Sequence, residues 1–196
     1  MSEVKSHEFD SFLQRSAAIY RLFLLYGPDR GLVSERASEL AGSFGIPLDD
    51  PFAVVKLDAA TLQGAGSVLD EVNAIGLFGG DKLVWVRGAS AEKALTEALQ
   101  ILAADPPAGA RLIVEAGDLK KGAALRKVGE TSRSVASIAC YSDDIRGLQA
   151  LVDTELSEAG LRIGPAARER LVEALGGDRM ASRNELRKLA LYCRGK

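Results

Sequence analysis

Gly27-Pro28-Asp29-Arg30-Gly31-Leu32-Val33-Ser34 follows directly on the apolar run Leu22–Tyr26. A strand, a glycine turn and a helix start, in that order, are what a P-loop is made of. Its G-x-x-x-x-G-K-[ST] motif cradles phosphates with backbone N–H groups, reaches the β/γ-phosphates with Lys and holds Mg²⁺ with a hydroxyl. Gly27 and Gly31 supply a degenerate version of that loop, and Ser34 could supply the hydroxyl. Nothing nearby replaces the lysine, because Arg30 falls inside the turn rather than at the helix start. An NTPase also needs an acid at a strand end to hold Mg²⁺. The run Leu83–Arg87 ends in arginine, and Leu112–Glu115 leads to Asp118 without an apolar-run-Asp-Glu pattern. Glu115 therefore reads as a strand-end surface charge. The loop is not expected to bind ATP.

Other catalytic chemistry is poorly served. His7 is the one histidine and lies in a polar N-terminal stretch. There is no G-x-S-x-G, no H-E-x-x-H and no Cys/His cluster. Gly27 and Gly31 also have the wrong spacing for a G-x-G-x-x-G dinucleotide turn. Cys140 and Cys193 match no metal or redox spacing and fit a reducing, cytoplasmic setting. No catalytic residue, metal or cofactor is expected.

The elements that must position the loop alternate in type. Short apolar runs at Leu22–Tyr26, Ala53–Leu57, Leu83–Arg87, Leu112–Glu115 and Val135–Ala139 read as strands covered on both faces. Helical segments separate them: Leu32–Phe44, Ser67–Ile75, Ala91–Ala103 and the short basic Lys121–Gly129. Such alternation predicts a parallel α/β sheet with right-handed crossovers. After Cys140 the pattern becomes all-helical. Ile145, Leu148, Val152, Leu156 and Ala159 form one stripe, and Gly164-Pro165 opens a second helix with Leu171 and Leu175 on its inner face. A third helix carries a capping-box signature, Ser182-x-x-Glu185, with an alternative start at Asp178 and a stop at Gly195. The predicted organisation is an α/β domain over residues 1–141 and a small helical domain over residues 142–196. At 47% apolar residues and a net charge of −2, the chain has material for a core and no dominant basic patch. No apolar run is long enough to span a membrane.

Asn73-Ala74-Ile75-Gly76-Leu77-Phe78-Gly79-Gly80-Asp81 is the second notable stretch. Two large apolar residues follow a helix and sit between glycines. Leu77 and Phe78 could fold back onto the core. They could instead project outward as a two-residue anchor for a partner's apolar pocket.

The chain resembles the delta subunit of the bacterial DNA polymerase III clamp loader, over essentially its whole length. The resemblance rests on Leu24-Leu25-Tyr26-Gly27-Pro28-Asp29, on Leu77-Phe78, and most specifically on Glu185-Leu186-Arg187-Lys188-Leu189-Ala190-Leu191-Tyr192, similar to that family's E-[LI]-x-K-L-x-x-[YF] helix. It implies an AAA+-like fold with a degenerate phosphate loop and a three-helix lid. It implies a non-catalytic subunit that binds the beta sliding clamp and promotes opening of the ring for loading onto primed DNA. Leu77 and Phe78 would enter the clamp pocket, with Ile75 beside them, and Asn73 stands where the family often has Gln. It further implies tau/gamma and delta-prime as partners, through an all-helical collar domain beyond the residues of this chain. Gly177-Asp178-Arg179 and Ser132-Arg133-Ser134 resemble AAA+ nucleotide-sensing and arginine-finger segments, and read as surface charges kept with the fold. The alternatives are an ATP-binding AAA+ or P-loop ATPase, which would need a working 27–34 turn, and an α/β nucleotide-cofactor enzyme.

Overall fold

The computed structural model describes residues 3–74, 81–90, 92–141, 145–175 and 179–193. They form two compact units, Met1–Cys140 and Tyr141–Lys196.

Unit 1 is built on a six-stranded parallel sheet. In chain order its strands are β1 (Glu3–Val4), β2 (Leu22–Tyr26), β3 (Val54–Asp58), β4 (Lys82–Ala89), β5 (Ala110–Ala116) and β6 (Val135–Ala139). Their order across the sheet is β1-β6-β2-β5-β4-β3. β2 and β6 coincide with the apolar runs, because a strand covered on both faces has no polar position to blur its ends. Residues alternate between two cores. Leu22, Leu24 and Tyr26 face α3 (Gly66–Asn73), α4 (Lys93–Ala104) and α5 (Ala124–Thr131). Phe23 and Leu25 face α1 (Phe9–Arg15) and α2 (Arg30–Gly42). The α/β expectation holds.

Several boundaries differ from expectation. The N-terminal stretch is structured: β1 pairs with β6 at the sheet edge, and α1 buries Phe9 and Phe12. Arg30 is the first residue of α2, not a turn residue, so the loop is shorter than the sequence implied. α3 ends at Asn73, with Ala74 already extended (φ −66°, ψ 127°).

Unit 2 consists of α6 (Ile145–Glu158), α7 (Pro165–Ala174) and α8 (Arg179–Cys193), around Leu151, Val152, Leu156, Val172 and Leu186. Leu171 and Leu175 are partly buried beside Val172. α8 starts three residues before Ser182, which is buried inside the helix, so Ser182 is not its cap. Asp178 and Gly195 lie outside the described residues. Buried Glu155 holds the unit together, accepting from Arg187 Nε at 3.0 Å and pairing its charge with Arg183 at 2.6 Å.

Candidate functional site

At the carboxyl ends of the central strands the backbone is tightly knitted. Cys140 N donates to Tyr26 O at 2.7 Å, Gly27 N to Gly117 O at 3.2 Å, and Gly117 N to Ala89 O at 2.9 Å. Gly27 is needed here for close approach. A Cβ at this position would lie 1.8 Å from the Cys140 carbonyl oxygen. Its glycine is explained by packing against β6, with no phosphate required.

Only Gly27, Pro28 and Asp29 connect β2 to α2. Asp29 is the N-cap of α2: its carboxylate accepts from Leu32 N at 3.0 Å and is 8% exposed. The N-terminus of a helix offers unpaired N–H groups and positive potential, the features that attract phosphate. In this chain a carboxylate of the loop itself occupies that place. An incoming phosphate meets a negative charge where the P-loop offers free donors. Gly31 lies within the first helical turn, too late to widen a cradle.

Ser34 lies one turn into α2 and turns towards β5. It lies close enough to the Glu115 carboxylate to favour its ionised form. Glu115 is not a surface charge, because only 9% of the residue is exposed. Trp85 Nε1 donates to it at 2.6 Å, and Arg87 Nε lies 3.5 Å away. The Arg87 guanidinium stacks 4.5 Å over the Trp85 ring. Burial pushes the Glu115 carboxyl above its ordinary value of 4.5, against the lowering effects of Trp85, Arg87 and Ser34. A buried indole N–H needs a partner, which is why a carboxylate can sit this deep. Glu115 lines a cleft of ≈ 430 Å³ whose other walls include Arg30, Val33, Gly88 and Ser90. The carboxylate is engaged by Trp85 and Arg87 where it meets the cleft. Among the described residues, no three His, Cys, Asp or Glu side chains gather where a metal could be held.

This network gives a pH prediction. Because the folded chain holds the Glu115 proton to higher pH than the unfolded chain, stability falls as pH rises from about 4.5 through the raised folded value, and is level beyond it. Glu115→Gln keeps an acceptor for Trp85 and removes that titration. Its melting temperature should gain on wild type as pH rises from 4 to 7. A constant difference across a pH series of thermal melts would contradict the buried-carboxylate account.

Of the other predicted residues, Asn73 falls towards the opposite, amino end of the sheet. Asn73 is the exposed last residue of α3. Ile75, Leu77 and Phe78 lie outside the described residues. Asp81, which follows them, accepts from Arg21 at 2.5 Å and faces Arg111 at 3.2 Å. Burial works to raise the Asp81 carboxyl, but Arg21 and Arg111 together hold it below its ordinary value. Sequence reasoning missed the Arg21–Asp81–Arg111 group and Lys82, whose partners are remote in sequence. Arg133 is exposed between α5 and β6, at the amino end of β6 and away from the Gly27 loop.

No protein-family model matches the chain, and no curated protein matches it. Solved structures do. The Bacillus subtilis DNA clamp loader delta protein (YqeN) aligns over 97% of this chain and 58% of its own, with a TM-score of 0.65 and 15% identity. The Thermotoga maritima RuvB Holliday junction branch migration motor aligns over 94% of this chain and 61% of its own, at TM-score 0.59 and 12% identity. A DNA polymerase III gamma subunit-related protein from Thermotoga maritima aligns over 93% of this chain and 58% of its own, at TM-score 0.56 and 16% identity. The chain thus spans about three fifths of the length of the structures it matches. At these identities the likeness is one of fold. Parallel sheet, degenerate loop and following helices together give this chain the AAA+-like P-loop fold of clamp-loader and branch-migration proteins.

Proposed function

We propose that this chain is a non-catalytic, delta-type clamp-loader subunit, acting in the cytoplasm by binding the beta sliding clamp. The observation that carries the reading is the Asp29 carboxylate filling the helix N-terminus of an AAA+-like fold. The fold is retained while its nucleotide position is self-occupied, which fits a protein that works through partners. Leu77 and Phe78 form the anchor, with Asn73 and Ile75 upstream. They would fill the clamp's hydrophobic pocket as a compact hot spot. Ring opening follows if the chain binds an opened or distorted ring more tightly than a closed one, since only differential affinity shifts that equilibrium. Tau/gamma, delta-prime and primed DNA are the further partners, met in the assembled loader. Among the described residues, no helix is long and apolar enough to cross a membrane.

The cleft beside α2 favours a second reading, an ATP-binding AAA+ protein. The two readings part on one measurement. Millimolar ATP-Mg²⁺ or ADP should leave the melting temperature of this chain unchanged, because no binding means no linked stabilisation. A saturable rise would support the nucleotide reading. Titration with the cognate clamp tests the first reading directly.

A further inference from the structure

Residues 3–8 run along the outer edge of β6. β1 contributes two residues of parallel pairing, Glu3↔Ser137 and Val4↔Ile138, against a strand of five. Val4 is buried in the cluster that holds Phe9, Ile138 and Cys140. A 3-10 turn at Ser6–Glu8 follows, closed by Glu8 N donating to Lys5 O at 2.9 Å and Lys5 N to Glu8 Oε2 at 3.0 Å. These turn bonds are internal to the segment and travel with it. Other polar contacts fasten it to the body of unit 1. Tyr26 Oη donates to Glu3 Oε1 at 3.2 Å, and Arg126 Nη2 lies 3.9 Å from the same oxygen. Arg36 Nη2 donates to the Ser6 carbonyl at 2.8 Å.

Both arginines are buried, and a buried guanidinium left without partners is costly. Each keeps partners outside residues 3–8. Arg126 donates to Glu130 at 2.6 Å and to the Leu119 carbonyl at 3.0 Å, and lies 4.8 Å over the Tyr26 ring. Arg36 reaches the Ala139 carbonyl at 3.5 Å and lies 5.0 Å over the Phe9 ring. Letting go of Glu3 and Ser6 therefore strands neither charge. β6 also stays paired to β2 from Val135 to Ala139. Short ladders with little apolar burial open at a free energy below that of global unfolding. Beneath the segment Cys140 is fully buried. Burial pushes its thiol from the ordinary 9.0 up to about 11, against the lowering effect of the nearby Arg36 guanidinium. A thiol so placed is inert until it is uncovered.

We propose that residues 3–8 are a releasable strap, which opens as a unit while the rest of the sheet stays paired and so gates the outer edge of β6. Closed, it keeps an apolar edge strand out of reach of stray pairing. The strap is separate from the residues assigned to the clamp, and its opening does not depend on that reading.

The test is alkylation of the whole chain by iodoacetamide in a urea series below the unfolding transition, with peptide mass spectrometry separating Cys140 from Cys193. The Cys140 rate should be nearly level at low urea, because strap opening exposes little surface, and should climb only near the transition. Val4→Ala should speed it about tenfold, the burial value of the two methyl groups it loses. Val68→Ala removes a buried side chain from α3, on the opposite face of the sheet. It should lower the melting temperature and leave the Cys140 rate at low urea unchanged. Should Val4→Ala fail to fold, Glu3→Ala replaces it, with an expected gain of roughly threefold for a side chain that is 32% exposed. A Cys140 rate that rises from zero urea with the full slope of global unfolding overturns the strap. So does a Val68→Ala gain equal to that of Val4→Ala, or a wild-type rate in the folded strap variant.

Discussion

Gly27→Ala should destabilise unit 1 by about 3 kcal/mol or more, the upper range for overpacking. The added Cβ would sit 1.8 Å from the Cys140 carbonyl oxygen and 2.5 Å from its carbon. The obstacle is backbone, so no side-chain rotation relieves it. Either β2 or β6 must move, and both are fully buried and paired in register from Leu22↔Val135 to Tyr26↔Ala139. The strand-end hydrogen bond from Cys140 N to Tyr26 O at 2.7 Å would be lost or stretched. For a unit of this size the melting temperature should drop on the order of 10 °C. Thermal melts of the variant measure this directly. A fall of only a degree or two would mean that the Gly27–Cys140 approach is looser than described. Asp29→Ala is the milder neighbour, with an expected cost of about 1 kcal/mol for the lost cap.

Replacing Leu77 and Phe78 together by Ala should weaken clamp binding by about 2 kcal/mol or more with an unchanged melting temperature. Hot-spot anchors are typically few, aromatic or large, and seated in a desolvated pocket. Removing two adjacent ones leaves the partner pocket unfilled. The unchanged melt separates this account from the other fate the sequence allows. A Phe buried in the core and cut to Ala costs about 3–5 kcal/mol of stability. Isothermal titration and a melt on the same preparations distinguish the two. Loss of binding with a large fall in melting temperature would assign the pair to the core.

Much of unit 1 was legible because its strands are covered on both faces. Continuous apolar runs marked β2 and β6 to the residue, and the interleaved helices followed from their period. The N-terminal elements escaped because β1 is only two residues long and α1 presents only Phe9, Phe12 and the partly buried Leu13 to the core. The missing loop lysine was plain in the sequence. The role of Asp29 was not, because it depends on α2 starting at Arg30. Glu115 was misread as a surface charge for a related reason. In a strand buried on both faces, a single carboxylate looks like the strand's end unless its partner is known. The pointer was Trp85, whose indole N–H must find an acceptor once buried. Ser182 matched a capping pattern by composition, but α8 had already begun three residues earlier. Lys82 and the Arg21–Asp81–Arg111 group could not be found by spacing at all, since the fold alone brings them together.

Calorimetric titration of the wild-type chain into its cognate beta sliding clamp tests the central claim most directly. The account predicts saturable binding at one site on each clamp protomer, with no effect of added ATP-Mg²⁺ on the affinity. A folded chain that leaves the clamp unbound across a micromolar range would contradict it.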